Sequence, residues 1–125
     1  MNVRNLFRVL GVILTLGSLG WLFTPQATST VEELSTYGLY ITQQLGATTI
    51  ALGVLLLLVG GLASSPARQA VVTAVIVQQL LSGIVNLLAV LGGAIPSGLG
   101  WFGVVFNLLF VLAFGYFRFV RPEAT

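Results

Sequence analysis

The chain has 125 residues, 57% of them hydrophobic and only 6% charged, with a formal charge of +2 from five arginines and three glutamates. An average soluble domain carries about 25% charged residues, because a body this small exposes much of its surface to water; the composition excludes that class and points to lipid. No basic stripe is available for nucleic acid, and without cysteine or histidine there are no disulfides, no zinc site and no usual axial ligand for haem.

The first apolar stretch runs from about Leu6 to Phe23, behind Arg4 and Arg8. Thr24-Pro25-Gln26 is expected to stop it. Residues 1–27 also have the outline of a secretory signal, but Pro25 beside Ala27 makes a poor cleavage site, so a retained span is expected. Ser29 followed by Glu32 has the capping-box spacing, which predicts a helix restarting near Thr30 through Val31 and Leu34. Glu32 and Glu33 are adjacent, point about 100° apart on a helix, and are expected to be solvated rather than a paired catalytic site.

The second stretch covers about Gly38 to Ala63. One face carries Tyr40, Gln43, Gln44, Ala47, Thr48 and Ala51; another carries Gly46, Thr49, Gly53 and Gly60, an expected interface with a helix of this chain or of another subunit. Gly11, Thr15 and Ser18 form the matching small face of the first span. After Ala63-Ser64-Ser65-Pro66, the third stretch spans about Gln69 to Leu91. There Gln78, Ser82 and Asn86 share an arc of about 80°, with Gln79 at its edge, while Ile76, Leu80, Ile84, Leu87 and Leu91 lie opposite and suit lipid. Carboxamides are costly in hydrocarbon unless paired, so this face is expected to look into protein. The Gly92–Gly98 turn leads to the fourth stretch, about Leu99 to Val120, where Asn107 lies at a depth that would let it pair with Asn86.

Each stretch is close to the ~20 residues a helix needs to cross ~30 Å of hydrocarbon, and none shows the alternation of a barrel strand. The sequence therefore predicts an all-α fold: a single transmembrane domain over residues 1–125, an integral membrane four-helix bundle running up-down-up-down. Arg4, Arg8, Arg68, Arg118 and Arg121 all fall on one side of such a protein, so both termini are expected in the cytoplasm. Trp21, Phe23, Tyr37, Tyr40, Trp101 and Phe102 would mark the outer interface, and Phe7, Tyr116, Phe117 and Phe119 the inner one.

Two functions are compatible with this pattern. A non-enzymatic accessory or assembly subunit of a larger membrane complex would use the small-residue face of span two, with Gly46, Thr49, Gly53 and Gly60 at the interface. A small transporter, or a lipid- or solute-binding protein, would use a polar cavity between spans two and three drawing on Gln43, Gln44, Thr48, Gln78, Gln79, Ser82, Asn86 and Asn107. No ionisable group lies in the middle of a span, which disfavours proton-coupled pumps and voltage sensors. No catalytic residue, metal or cofactor is expected; the partners are the bilayer, other membrane subunits or a second copy, and not nucleic acid.

Several motifs carry a family likeness: Trp21-Leu22-Phe23-Thr24-Pro25 closing span one, Leu45-Gly46-Ala47 entering span two, the arginine-bearing turn at Arg68, and Phe114-Gly115-Tyr116-Phe117 near the end. In that order they resemble the small four-span bacterial inner-membrane proteins around the DoxX-like and related domains. The resemblance implies a multi-pass protein of the bacterial plasma membrane and transfers no catalytic residue. The lack of cysteine and of charge inside the spans departs from what a redox role would need.

Overall fold

The computed structural model describes residues 2–29 and 33–122. Among them there are only helices and connections: α1 (Val3–Gly17), α2 (Leu19–Phe23), α3 (Pro25–Thr28), α4 (Thr36–Gly61), α5 (Pro66–Leu91) and α6 (Ser97–Gly115), the last continued by a π-helical turn over Tyr116–Val120. Four helical stretches are long and apolar enough to cross a membrane: Val3–Phe23, Thr36–Gly61, Pro66–Leu91 and Ser97–Val120. They begin two or three residues earlier than the apolar runs, because each helix takes in first-turn residues outside its hydrophobic part, with side-chain caps at Asn2 and Ser65. The chain forms two compact units, Met1–Gly61 and Leu62–Thr125. Each is a helical hairpin.

The first hairpin pairs α1 and α2 with α4. Asn2 starts α1, its side chain accepting from the Asn5 N–H at 3.0 Å. Val3, Leu6, Phe7, Leu10 and Gly11 recur at helical spacing and are buried. The helix breaks at Ser18, which is buried and whose N–H returns to Leu14 O, so the first span is two helical pieces rather than one; a Gly-Ser pair is a common cause of such a break. Pro25 then opens α3, where its missing N–H does no harm. The helix expected to restart near Thr30 does not include Leu34, which is non-helical and donates its N–H to Gln26 Oε1 at 2.8 Å. Thr30, Val31 and Glu32, the rest of that expectation, lie outside the described residues.

The α1–α4 seam is antiparallel and lined by glycine. A Cβ on Gly53 would strike Thr15 Oγ1 and lie 2.8 Å from Gly11 O; on Gly46 it would lie 2.8 Å from Leu22 N; on Gly60 it would lie 3.0 Å from Phe7 Cβ. Gly11 answers from the other side, its added Cβ meeting Leu57 Cγ at 2.8 Å. Glycines seven apart fall on one face after about two turns, so the stripe lets two backbones touch along the seam. That is how helices gain contact in lipid, where no hydrophobic drive separates leucine from solvent.

The second hairpin pairs α5 with α6. Ser65 caps α5 by accepting from the Arg68 N–H at 3.2 Å, with Pro66 in the first turn. Arg68 itself is buried and donates from Nη1 to Leu62 O at 3.0 Å. At the far end Gly93 is left-handed, with φ 67°. Its N–H bonds Val90 O at 3.1 Å and the Ala94 N–H bonds Ala89 O at 2.8 Å, the two bonds of a Schellman stop. The turn then passes Pro96 into α6. After the C-terminal end of α6 the π-helical turn carries Arg118, whose Nε donates to Thr73 Oγ1 on α5 at 3.2 Å.

Candidate functional site

In the first hairpin the polar residues of α4 do not converge on a site. Thr48 and Thr49 donate their hydroxyls to Gln44 O and Leu45 O of their own helix, at 2.9 and 2.7 Å. Gln43 reaches across to Leu22 O at 3.4 Å. Tyr40, Gln43, Gln44, Ala47, Thr48 and Ala51 are all exposed. Gly46, Gly53 and Gly60 lie against the first span inside the chain. The small-residue stripe is thereby occupied, and an interface with another subunit needs a different face. Thr15, opposite Gly53, keeps a buried Oγ1 with no hydrogen-bond partner.

In the second hairpin the carboxamides behave differently from one another. Gln78 Nε2 donates to Ser82 Oγ at 3.0 Å, one turn along, while its Oε1 is buried and unpartnered. Asn107 turns back on its own helix, Nδ2 donating to Gly103 O at 2.7 Å. The expected Asn86–Asn107 pair does not form. Instead each asparagine packs on the glycine opposite: a Cβ on Gly103 would lie 2.7 Å from Asn86 Nδ2, and one on Gly83 would lie 3.4 Å from Asn107 Cβ. Gly100 completes this ladder, its Cβ position filled by Val90 Cγ2.

Gln79 is the outlier. It is 1% exposed, and its Oε1 has no hydrogen-bond partner. It lies on a groove of about 140 Å³ between α5 and α6, walled by Gly83, Ile84, Leu87, Val104, Leu108 and Val111. Leucine and isoleucine side chains assigned to the lipid side of α5 thus share a concavity with a carboxamide assigned to the edge of the polar face. Sequence spacing put Gln79 at the edge of the polar arc of this helix. It could not reveal the groove, which exists because Gly83 and Val104 are small where the two helices meet.

Among the described residues no group of three or more histidine, cysteine or acidic side chains is placed to hold a metal. Comparison with protein-family models, with curated proteins and with solved structures finds no match to this chain.

Proposed function

We propose that the chain is a non-enzymatic, multi-pass protein of the bacterial plasma membrane that serves as an accessory or assembly subunit of a larger membrane complex. It crosses the bilayer with both ends and the Arg68 turn in the cytosol, the side the arginines favour; the likeness to DoxX-like inner-membrane proteins supports the same location. The observation that carries the reading is the face of α4 bearing Tyr40, Gln43, Gln44, Ala47, Thr48 and Ala51, which stays exposed after the glycine seam has formed. Ala47 and Ala51 have the small-xxx-small spacing that lets another membrane helix approach, and Gln43 and Gln44 add carboxamides for bonds across that contact, each worth about 0.6–2 kcal/mol.

The test is extraction of native membranes with a lipid-retaining polymer. The expected particle holds this chain with a second membrane protein at fixed stoichiometry, and Gln44→Leu combined with Ala47→Leu releases it while each hairpin keeps its thermal transition. Particles holding the chain alone contradict the reading. A second reading, a small lipid- or solute-binding membrane protein, is favoured by the groove beside Gln79, which lies within the second hairpin.

A further inference from the structure

We propose that the C-terminal end of the second hairpin is a binding site for an anionic phospholipid, whose phosphate is held by the guanidinium groups of Arg118 and Arg121. This rests on the bilayer crossing in the reading above and is independent of any partner subunit, since every residue of the site belongs to α5, α6, the π-helical turn or the residue that follows it.

The arginines of this hairpin are placed differently from one another. Arg68 is buried and donates to Leu62 O, which ties it to its own turn. Arg118 is half-buried and fixed at one edge: its Nε donates to Thr73 Oγ1 at 3.2 Å, and its guanidinium carbon lies 5.6 Å from the centre of the Phe119 ring, within cation–π range. Nη1 and Nη2 make no hydrogen bond to the described residues and are not enclosed, and the Nε–Thr73 bond beside them is itself exposed. Those two nitrogens carry four N–H donors. Arg121 is exposed, and among the described residues no acidic side chain pairs with either arginine; Glu123 lies outside them. A guanidinium with its base held and its fork open is prepared for a phosphate, which accepts two parallel bonds from it. An untethered arginine would only snorkel to whichever headgroup was nearest.

Depth and surroundings make that phosphate part of a lipid. Arg118 comes 21 residues after Ser97, so it stands about 30 Å along the span, the thickness of the hydrocarbon core, at headgroup level. The same end of the hairpin exposes Leu112, Tyr116 and Phe119. Acyl chains match such side chains in polarity, whereas a soluble phosphate would leave them bare. A zwitterionic headgroup carries its own ammonium beside the phosphate, so two cations without acidic partners favour a lipid of net negative charge. The π-helical turn itself, closed by the Arg121 N–H on Tyr116 O at 2.9 Å, belongs to a rare class that recurs at functional sites.

The experiment uses the whole chain in phosphatidylcholine nanodiscs holding a trace of phosphatidylglycerol with a photoactivatable diazirine on one acyl chain, beside a phosphatidylcholine of the same design. The anionic lipid is expected to label positions 112–121 saturably, and about tenfold more than the zwitterionic one. Arg118→Lys keeps the charge and loses the fork, so it should remove most of the preference, and Thr73→Val should weaken it. Arg4→Gln with Arg8→Gln, which takes two cations from the other hairpin, should leave it intact. Glycerol phosphate in solution should not displace the label. Equal labelling by the two lipids, label that maps elsewhere, or displacement by glycerol phosphate overturns the proposal. So does a preference that survives Arg118→Lys, or one that falls as far in the Arg4 and Arg8 double variant, the mark of charge attraction alone. Should Arg118→Lys fail to fold, Arg121→Gln at an exposed position decides: the preference should fall severalfold, and an unchanged one contradicts the proposal. Nanodiscs present both leaflets, so neither sidedness nor a missing partner subunit alters the result.

Discussion

Gly46, Gly53 and Gly60 illustrate how one residue type carries different weight at different places. At Gly46 and Gly53 an added methyl meets backbone atoms of the first span at 2.8 Å. Backbone cannot step aside as a side chain can, so Gly46→Ala and Gly53→Ala should each destabilise the hairpin by about 1–3 kcal/mol, the usual range for overpacking. Gly61 and Gly115 are helical too, but nothing lies within 4 Å of their Cβ positions. Alanine there should be neutral, or stabilising by up to about 1 kcal/mol through helix propensity. Thermal melts of the four variants in one detergent check the contrast. Equal effects at all four positions would show that the seam is not packed backbone to backbone.

The seven-residue spacing of these glycines was readable before any coordinates, as was the small face of Gly11, Thr15 and Ser18, of which Gly11 and Thr15 meet Gly53. What the sequence left open was whether the partner belonged to this chain, because glycine carries no polarity or shape to name its neighbour. The carboxamides were less legible for a different reason. An amide can bond to its own helix one turn away, as Asn107 does, or face a partner, and helical periodicity describes both equally well.

At the scale of elements, the two hairpins solve the same packing problem differently. The α1–α4 seam brings glycine against backbone; the α5–α6 seam brings asparagine side chains against glycine. The second arrangement is the more forgiving. A methyl on Gly103 meets only the amide end of Asn86, which can rotate aside. Gly103→Ala should therefore cost less than Gly53→Ala, and less again in an Asn86→Ala background. A double-mutant cycle on melting temperatures reads this directly, with a coupling of about 0.5 kcal/mol or more expected for residues in contact. Strict additivity would mean that the two side chains do not meet. Element ends were partly visible in the sequence. Ser65-Pro66 and Gly92-Gly93 give their caps away by residue type, whereas the break on the Gly17-Ser18 pair and the π-helical turn at Tyr116–Val120 bear no local signature strong enough to read.

For the molecule as a whole, composition and helix length carry the conclusion. Many large side chains along the four helices, among them Leu16, Leu58, Val85, Leu88, Leu109 and Leu112, are more than half exposed, a surface that only lipid solvates without penalty. The number of spans and their antiparallel pairing within each hairpin followed from hydropathy and short connections. The groove beside Gln79 did not, since it depends on how two surfaces meet. The chain has no cysteine of its own, so single cysteines introduced into the connections report sidedness cleanly. The most direct test is labelling of Ala27→Cys, Ala63→Cys, Ala94→Cys and Pro122→Cys by a membrane-impermeant maleimide in intact cells. Reaction at positions 27 and 94 without permeabilisation, and at 63 and 122 only after it, is the predicted pattern. Labelling at position 63 or 122 in intact cells would contradict an even number of crossings with the arginines in the cytosol.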